Sequence, residues 1–232
     1  MRAPVAALVS AGLLLAGCGG SGKPSTTAAA NGEASKPAAQ VLADAEEAAT
    51  SASSMHVSGH IVLGHTPLTL DLSIARGRGA TGTMSTNGLS FSLVRIGKTI
   101  YVRGSDAFYK HYAGAALAGL LHGKWLQASA THGQLAAVAP ITSAAALFAE
   151  VSSHHGKLAN DGVTTYQGQQ AVEIRDTSDD SKLYVSATGT PYPVALVGGR
   201  SGQSGAIAFD RWNAPVSVNA PKGALDISQL GG

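Results

Sequence analysis

"LTLDLSIA", residues 68–75, alternates strictly: Leu68, Leu70, Leu72 and Ile74 are apolar, while Thr69, Asp71 and Ser73 between them are polar. Successive strand side chains point to opposite faces, so this pattern predicts a half-buried strand. The four aliphatics face an apolar interior and the three polar residues face water. A slip of one residue would exchange the two faces, so one register decides the burial of the whole element.

The pattern continues on both sides. "HVSGHIVL" (56–63) reads as the hairpin partner, joined through Gly64 to Pro67, and "ATGTMS" (80–85), "LSFSLVRIG" (89–97) and "TIYVRG" (99–104) follow with Gly or Asn at the breaks. Residues 56–104 therefore read as an antiparallel meander of about five strands. Before it, Val41, Ala45, Ala48 and Ala52 recur at helical spacing behind Pro37, which predicts a helix over 38–54. After it, Ser105 and Asp106 are good N-caps and Phe108, Tyr112 and Ala116 share a face, which predicts a helix over 105–121. "KWLQAS" (124–129) reads as a short strand. Residues 131–153 are Ala-rich and interrupted by Pro140, which predicts two short helices with a break near 140–143. Six further strand-like segments close the chain: "LANDGVTTYQG" (158–168), "QAVEIRDT" (170–177), "KLYVSAT" (182–188), "YPVALVGG" (192–199), "SGAIAFDRW" (204–212) and "APVSVNAP" (214–221). The order helix, strands, helices, strands points to an α+β fold in which one antiparallel sheet is covered by a helical insertion.

Of the 232 residues, 44% are hydrophobic, enough for a core, and only 13% are charged, with a formal net charge of +2. No basic stripe of the kind that binds nucleic acid is present. Aromatics make up 5%, too few for a stacking platform for bases or sugars, and 29 glycines suit a turn-rich, stranded architecture.

The N-terminus carries a different message. Arg2 is followed by a run from Ala3 to Gly17 that is apolar or small except for Ser10. Such a run describes an export signal, and it is shorter than the roughly 20 residues of a spanning helix. It ends on Leu15-Ala16-Gly17-Cys18, which holds the chain's only cysteine. These four residues resemble the bacterial lipobox. The resemblance implies cleavage between Gly17 and Cys18, a diacylglyceryl group on the Cys18 sulfur, further acylation such as palmitate on its new amine, and a lipid-anchored position on the extracytoplasmic face of the cell membrane. Two buried chains suffice for stable anchoring. Residues 19–37, rich in Gly, Ser, Thr, Ala and Pro, read as a flexible linker. The expected organisation is a signal peptide over 1–17, a lipidated Cys18 and linker over 18–37, and one domain over 38–232.

Catalytic and metal patterns are weak. His56 and His60 lie four apart in a strand, about 13 Å, too far to share an ion bound at about 2 Å. His65 has the opposite parity, and His154 and His155 are adjacent, so they point apart. In "GRSGQSGA" (199–206), neither Ser201 nor Ser204 completes G-x-S-x-G. Asp179 and Asp180 sit in "DTSDDSK" (176–182), a turn. "RGRGATG" (76–82) lacks the Lys-Ser/Thr ending of a phosphate loop. No catalytic residue, metal ligand or cofactor is expected, and the chain is not read as an enzyme.

The lipobox, linker, helix, meander and helical insert, with Tyr166-x-Gly168, "KLYVSATGTPYPVAL" (182–196) and "FDRWNAPVSVNAPKGALDI" (209–227), resemble the LppX/LprG-type envelope lipoproteins of actinobacteria and, more distantly, the LolA/LolB lipoprotein carriers. The resemblance covers roughly residues 38–230. It implies a strongly curved antiparallel half-barrel with helices on its concave face and an apolar cavity between them for acyl chains. The implied function is to bind lipid or acylated cargo and move it through the cell envelope, with an envelope transporter as partner. The alternative is a sensor or protein-binding module of the same fold without lipid cargo. Strand parity and helix faces nominate Val57, Ile61, Leu70, Leu72, Phe91, Leu93, Val102, Phe108 and Leu147 as cavity lining.

Cys18→Ser is expected to leave uncleaved or mislocalised precursor with no acyl mass, as read by mass spectrometry of membrane and soluble fractions. Wild-type processing and membrane attachment of that variant would overturn the lipobox reading.

Overall fold

The computed structural model describes residues 29–63, 66–132, 138–199 and 205–227. Gly17, Cys18, His65, Ser201 and Ser204 lie outside the described residues, as does the expected signal peptide over 1–17.

Helix α1 (Ala38–Ser51) comes first. The strands β1 (Ser54–Leu63), β2 (Thr66–Ala75), β3 (Gly79–Thr86), β4 (Leu89–Ile96) and β5 (Thr99–Gly104) form the expected meander. Helix α2 (Asp106–Leu121), strand β6 (Leu126–Ser129), a 3-10 turn (Pro140–Thr142) and helix α3 (Ala144–Ser153) make up the insertion. Strands β7 (Leu158–Tyr166), β8 (Gln169–Asp176), β9 (Lys182–Ser186), β10 (Pro193–Val197), β11 (Gly205–Asp210) and β12 (Leu225–Asp226) complete one unclosed, curved sheet. Its order is β12-β6-β5-β4-β3-β2-β1-β11-β10-β9-β8-β7, and every pairing is antiparallel except β12 with β6. The return of β11 alongside β1 joins the meander to the C-terminal strands.

Strand β2 obeys the predicted parity. Leu70, Leu72 and Ile74 are buried, Leu68 is partly buried, and Thr69 and Asp71 are exposed. Gly59 of β1 and Gly82 of β3 flank this strand. A Cβ at Gly59 would collide with the Ala206 carbonyl of β11, and one at Gly82 with the Asp71 carbonyl of β2. Both positions therefore need glycine for close strand approach, the usual reason for glycine inside a strand.

The helices follow their local signals. The Ser105 Oγ accepts from Phe108 N at 3.2 Å, capping α2, and Ser143 caps α3 behind the proline break. Helix α1 buries Ala38, Val41, Leu42 and Ala45 against Val172, Ile174, Leu183 and Val185 of β8 and β9, and Ala49 in the main core. The larger core lies under β1–β5 and contains all four phenylalanines, Phe91, Phe108, Phe148 and Phe209.

Three expectations differ from the structure. "APVSVNAP" (214–221) joins no strand pair, although its exposure alternates as a strand's would. Pro215 and Pro221 lack the N–H that a ladder needs, and the outermost pairing falls instead to Leu225 and Asp226 against Leu126 and Gln127. The helix predicted over 38–54 stops at Ser51 because Ser54 already belongs to β1, where its N-terminal end pairs with Ala75. Residues 30–36, read as linker, pack on the domain. Ala30 bridges to Thr188, the Asn31 amide donates to the Ser186 and Gly189 carbonyls, and Glu33 is buried. Their polar side chains find partners some 155 residues away in sequence, which composition does not reveal.

Leu72 is fully buried at the centre of the sheet. Leu72→Ala is expected to cost about 2–5 kcal/mol, whereas exposed Thr83→Ala of the next strand should stay within about 0.5 kcal/mol. Denaturant unfolding of the two variants checks the difference.

Candidate functional site

The concave face is filled unevenly. At the end covered by α2, Phe108 packs on Phe91 with ring centroids 5.2 Å apart, and Tyr109 is fully buried with its hydroxyl donating to the Lys124 carbonyl at 2.6 Å. These aromatics leave little free volume. At the other end, α3 begins Ala144-Ala145-Ala146 and its one aromatic, Phe148, turns to Phe209 at 5.2 Å. A cavity of about 320 Å³ remains between α1, α3 and the sheet, and α3 borders it with Leu147, Glu150, Val151 and the following His154. Close-packed interiors leave few voids larger than a water molecule, so this space is a feature of the fold.

Its floor is aliphatic, made by the buried Leu42, Leu70, Ile174, Leu183 and Ile207. Half-buried Ile61, Leu68, Ile141, Leu147, Val151 and Leu196 form its walls. The rim is polar, with Glu150, His154, His155, Asp176, Asp179, Ser181 and Lys182. Topology gathers this rim at one edge of the sheet. Ile61 pairs with Gly205 and Val197 pairs with Lys182, which brings the β1–β2, β8–β9 and β10–β11 connections to the same end.

Of the nominated residues, Ile61, Leu70 and Leu147 border this cavity. Val57, Leu72, Phe91, Leu93, Val102 and Phe108 are packed in the main core instead. Parity identified the concave face, but which part of that face stays open depends on the helix above it. The cavity also draws on α1, β8, β9 and β10, whose contribution no local periodicity marks.

The rim is held by its own hydrogen bonds. The Asp176 carboxylate accepts from Gly156 N at 2.5 Å and from Ser178 N and Oγ at 2.8 and 2.5 Å. The Ser178 hydroxyl, and then the Gly156 and Ser178 amides, hold this carboxyl below the usual carboxylate range against the opposing effect of burial. Lys182 Nζ lies 2.6 Å from Glu173 Oε1, and that bond raises its pKa. Asp179 Oδ1 accepts from Ser181 N at 2.9 Å.

The remaining candidates are structural. His56 is buried on the convex face, with Nδ1 2.6 Å from Asp210 and Nε2 3.0 Å from Asp71, and it ties β1 to both neighbours. His60 Nδ1 lies 3.0 Å from Thr69 Oγ1. Among the described residues, no three His, Cys, Asp or Glu side chains are placed to hold a metal ion, and no helix is long and apolar enough to cross a membrane.

No family profile and no curated protein matches this chain. Solved structures do. LprF from Mycobacterium bovis is 16% identical, with 80% of this chain and 97% of that chain covered at a TM-score of 0.57. The lipoprotein LppX of Mycobacterium tuberculosis is 15% identical, with 78% and 98% covered at a TM-score of 0.52. At these identities the likeness establishes the fold, which is the one the sequence resemblance implies.

Asp176 ties the cavity rim to Gly156 and Ser178. Because its folded pKa is depressed, its stabilisation is present above the ordinary carboxylate range and is lost as pH falls through the folded value. Asp176→Asn is therefore expected to lower Tm at neutral pH and to flatten the acid arm of the stability profile. Thermal melts between about pH 2 and 7 check this.

Proposed function

We propose that this chain is an extracytoplasmic lipoprotein, anchored through Cys18, that binds lipid or an acylated molecule in the cavity beneath α3 and carries it within the cell envelope. The observation that supports this most is the aliphatic cavity of about 320 Å³ on the concave face. An aliphatic floor of this kind favours apolar guests, and the size of the space falls within the roughly 300–1,000 Å³ of small-molecule sites. Burying each methylene group of a guest is worth about 0.8 kcal/mol, so a short chain suffices for useful affinity. The fold is shared with LprF and with LppX, itself a lipoprotein.

The walls give a direct test. Leu147 is half-buried on α3 and borders the cavity. Leu147→Trp fills the space from its open side. It is expected to abolish co-purifying lipid, read by organic extraction and mass spectrometry, while Tm stays at or above that of the unaltered protein. A lipid-free extract from the unaltered chain, with no binding of a fluorescent fatty acid, would refute the carrier reading in favour of a module that binds protein.

A further inference from the structure

The outer side of α2 takes no part in the cavity. Gly114 interrupts this helix at φ 80° and ψ 162°, a conformation open to glycine, and the chain turns back there. His122 Nδ1 lies 2.7 Å from Asp106 Oδ1, whereas the same span of straight helix would hold the two about 24 Å apart. α2 is therefore a hairpin of two short helices with Gly114 at its apex. Its inner side buries Phe108, Tyr109, Ala118 and Leu121 in the main core. Its outer side presents Tyr112, Leu117 and Leu120, which are 53%, 41% and 72% exposed. These are three of the six large apolar side chains that stand exposed among the described residues. Apolar exposure grouped in this way marks an interaction surface.

The sequence around this surface states what it fits. "YAGAALAGLL" (112–121) holds no charge, and after Asp106 no Asp or Glu occurs until Glu150. The undescribed segments contain none either. Lys110 and Lys124 flank the apolar stretch, and both are exposed. An apolar face bordered by lysines complements a bilayer that carries anionic lipid: the apolar side chains enter the acyl boundary and the ammonium groups meet phosphates. The tether favours the same occupant, a step that rests on the Cys18 anchor. From Cys18 to Ala30 the chain spans at most about 40 Å when fully extended, so the domain stays beside the membrane and weak docking suffices at that effective concentration. We propose that the α2 hairpin is a membrane-docking element that seats Tyr112, Leu117 and Leu120 in the surface of an anionic lipid bilayer.

The test uses the full chain carrying Leu117→Cys or Leu120→Cys, each labelled with an environment-sensitive fluorophore. Cys18 is the only native cysteine, so once it is acylated the new thiol alone reacts. Thr83→Cys, exposed on β3, is the control. Both leucines are exposed, so their replacement leaves the fold intact. On vesicles of phosphatidylcholine and phosphatidylglycerol, nitroxides on the lipid acyl chains should quench both α2 labels and leave the Thr83→Cys label bright. Lys110→Gln/Lys124→Gln should lower the ratio of docked to free hairpin about fivefold for each lysine, and vesicles of phosphatidylcholine alone should weaken docking likewise. Tyr109 donates to the backbone carbonyl of Lys124, which that variant keeps. Quenching on α2 no greater than at the control would overturn the proposal. So would α2 labels already shielded without lipid, the result expected if a second copy or another part of the chain covers the hairpin, and so would docking indifferent to the lysines and to lipid charge. Acylation is read separately as intact mass at Cys18. Absence of that mass overturns the anchor reading alone, because the same labels in a Cys18→Ser background still report whether the hairpin docks on added vesicles.

Discussion

An unclosed curved sheet has a concave face that its own strands cannot cover. The twelve strands here turn a continuous aliphatic surface inward, from Ile100 and Leu93 through Leu72 and Val57 to Ile174 and Val185. Everything else in the molecule answers to the need to remove that surface from water. Three helices do the covering, and they differ in bulk. α2 brings Phe108 and Tyr109, α1 brings Val41 and Leu42, and α3 brings Leu147, Phe148 and Val151. The cavity lies where α1 and α3 meet the sheet, with Leu42 of α1 and Leu147 and Val151 of α3 facing Leu70, Ile174 and Ile207.

Electrostatics and packing are separated in space. The floor contains no ionisable group, whereas the rim carries several, nearly all held by hydrogen bonds within the rim or its neighbouring strands. Such a site loses little on binding through reorganisation of polar groups, because its carboxylates already have partners. The convex face has its own tie in His56, held between Asp71 and Asp210. It crosses three strands at the join between the meander and the C-terminal half.

Much of the fold was legible because its signals are local. The alternation of 68–75 and the cap at Ser105 each act within a few residues, and each appears where the sequence places it. What was not legible depends on partners distant in the chain. Nothing near Asn31 announces the Ser186 carbonyl, and nothing near His56 announces Asp210. The cavity belongs to the same class. Ile61, Leu70 and Leu147 were found by parity and helix face, while Leu42, Leu183 and Leu196 come from elements whose approach is set only by the complete sheet. The segment 214–221 shows the converse error, since its alternation is real but its prolines forbid the ladder.

The clasp formed by residues 30–36 has a mechanical meaning. The chain enters the domain at Ala30 on Thr188. It is fastened by Asn31 to the Ser186 and Gly189 carbonyls, and by Lys36 to Glu33 and Asp44 at 2.7 and 2.6 Å. Tension applied from the N-terminal side reaches this fastening before it reaches α1. The load is thus passed to the end of β9, a strand in the C-terminal half of the sheet. The same clasp reaches α1 itself through Asp44, so a pull from the N-terminal side is shared between the end of β9 and the helix whose Leu42 floors the cavity.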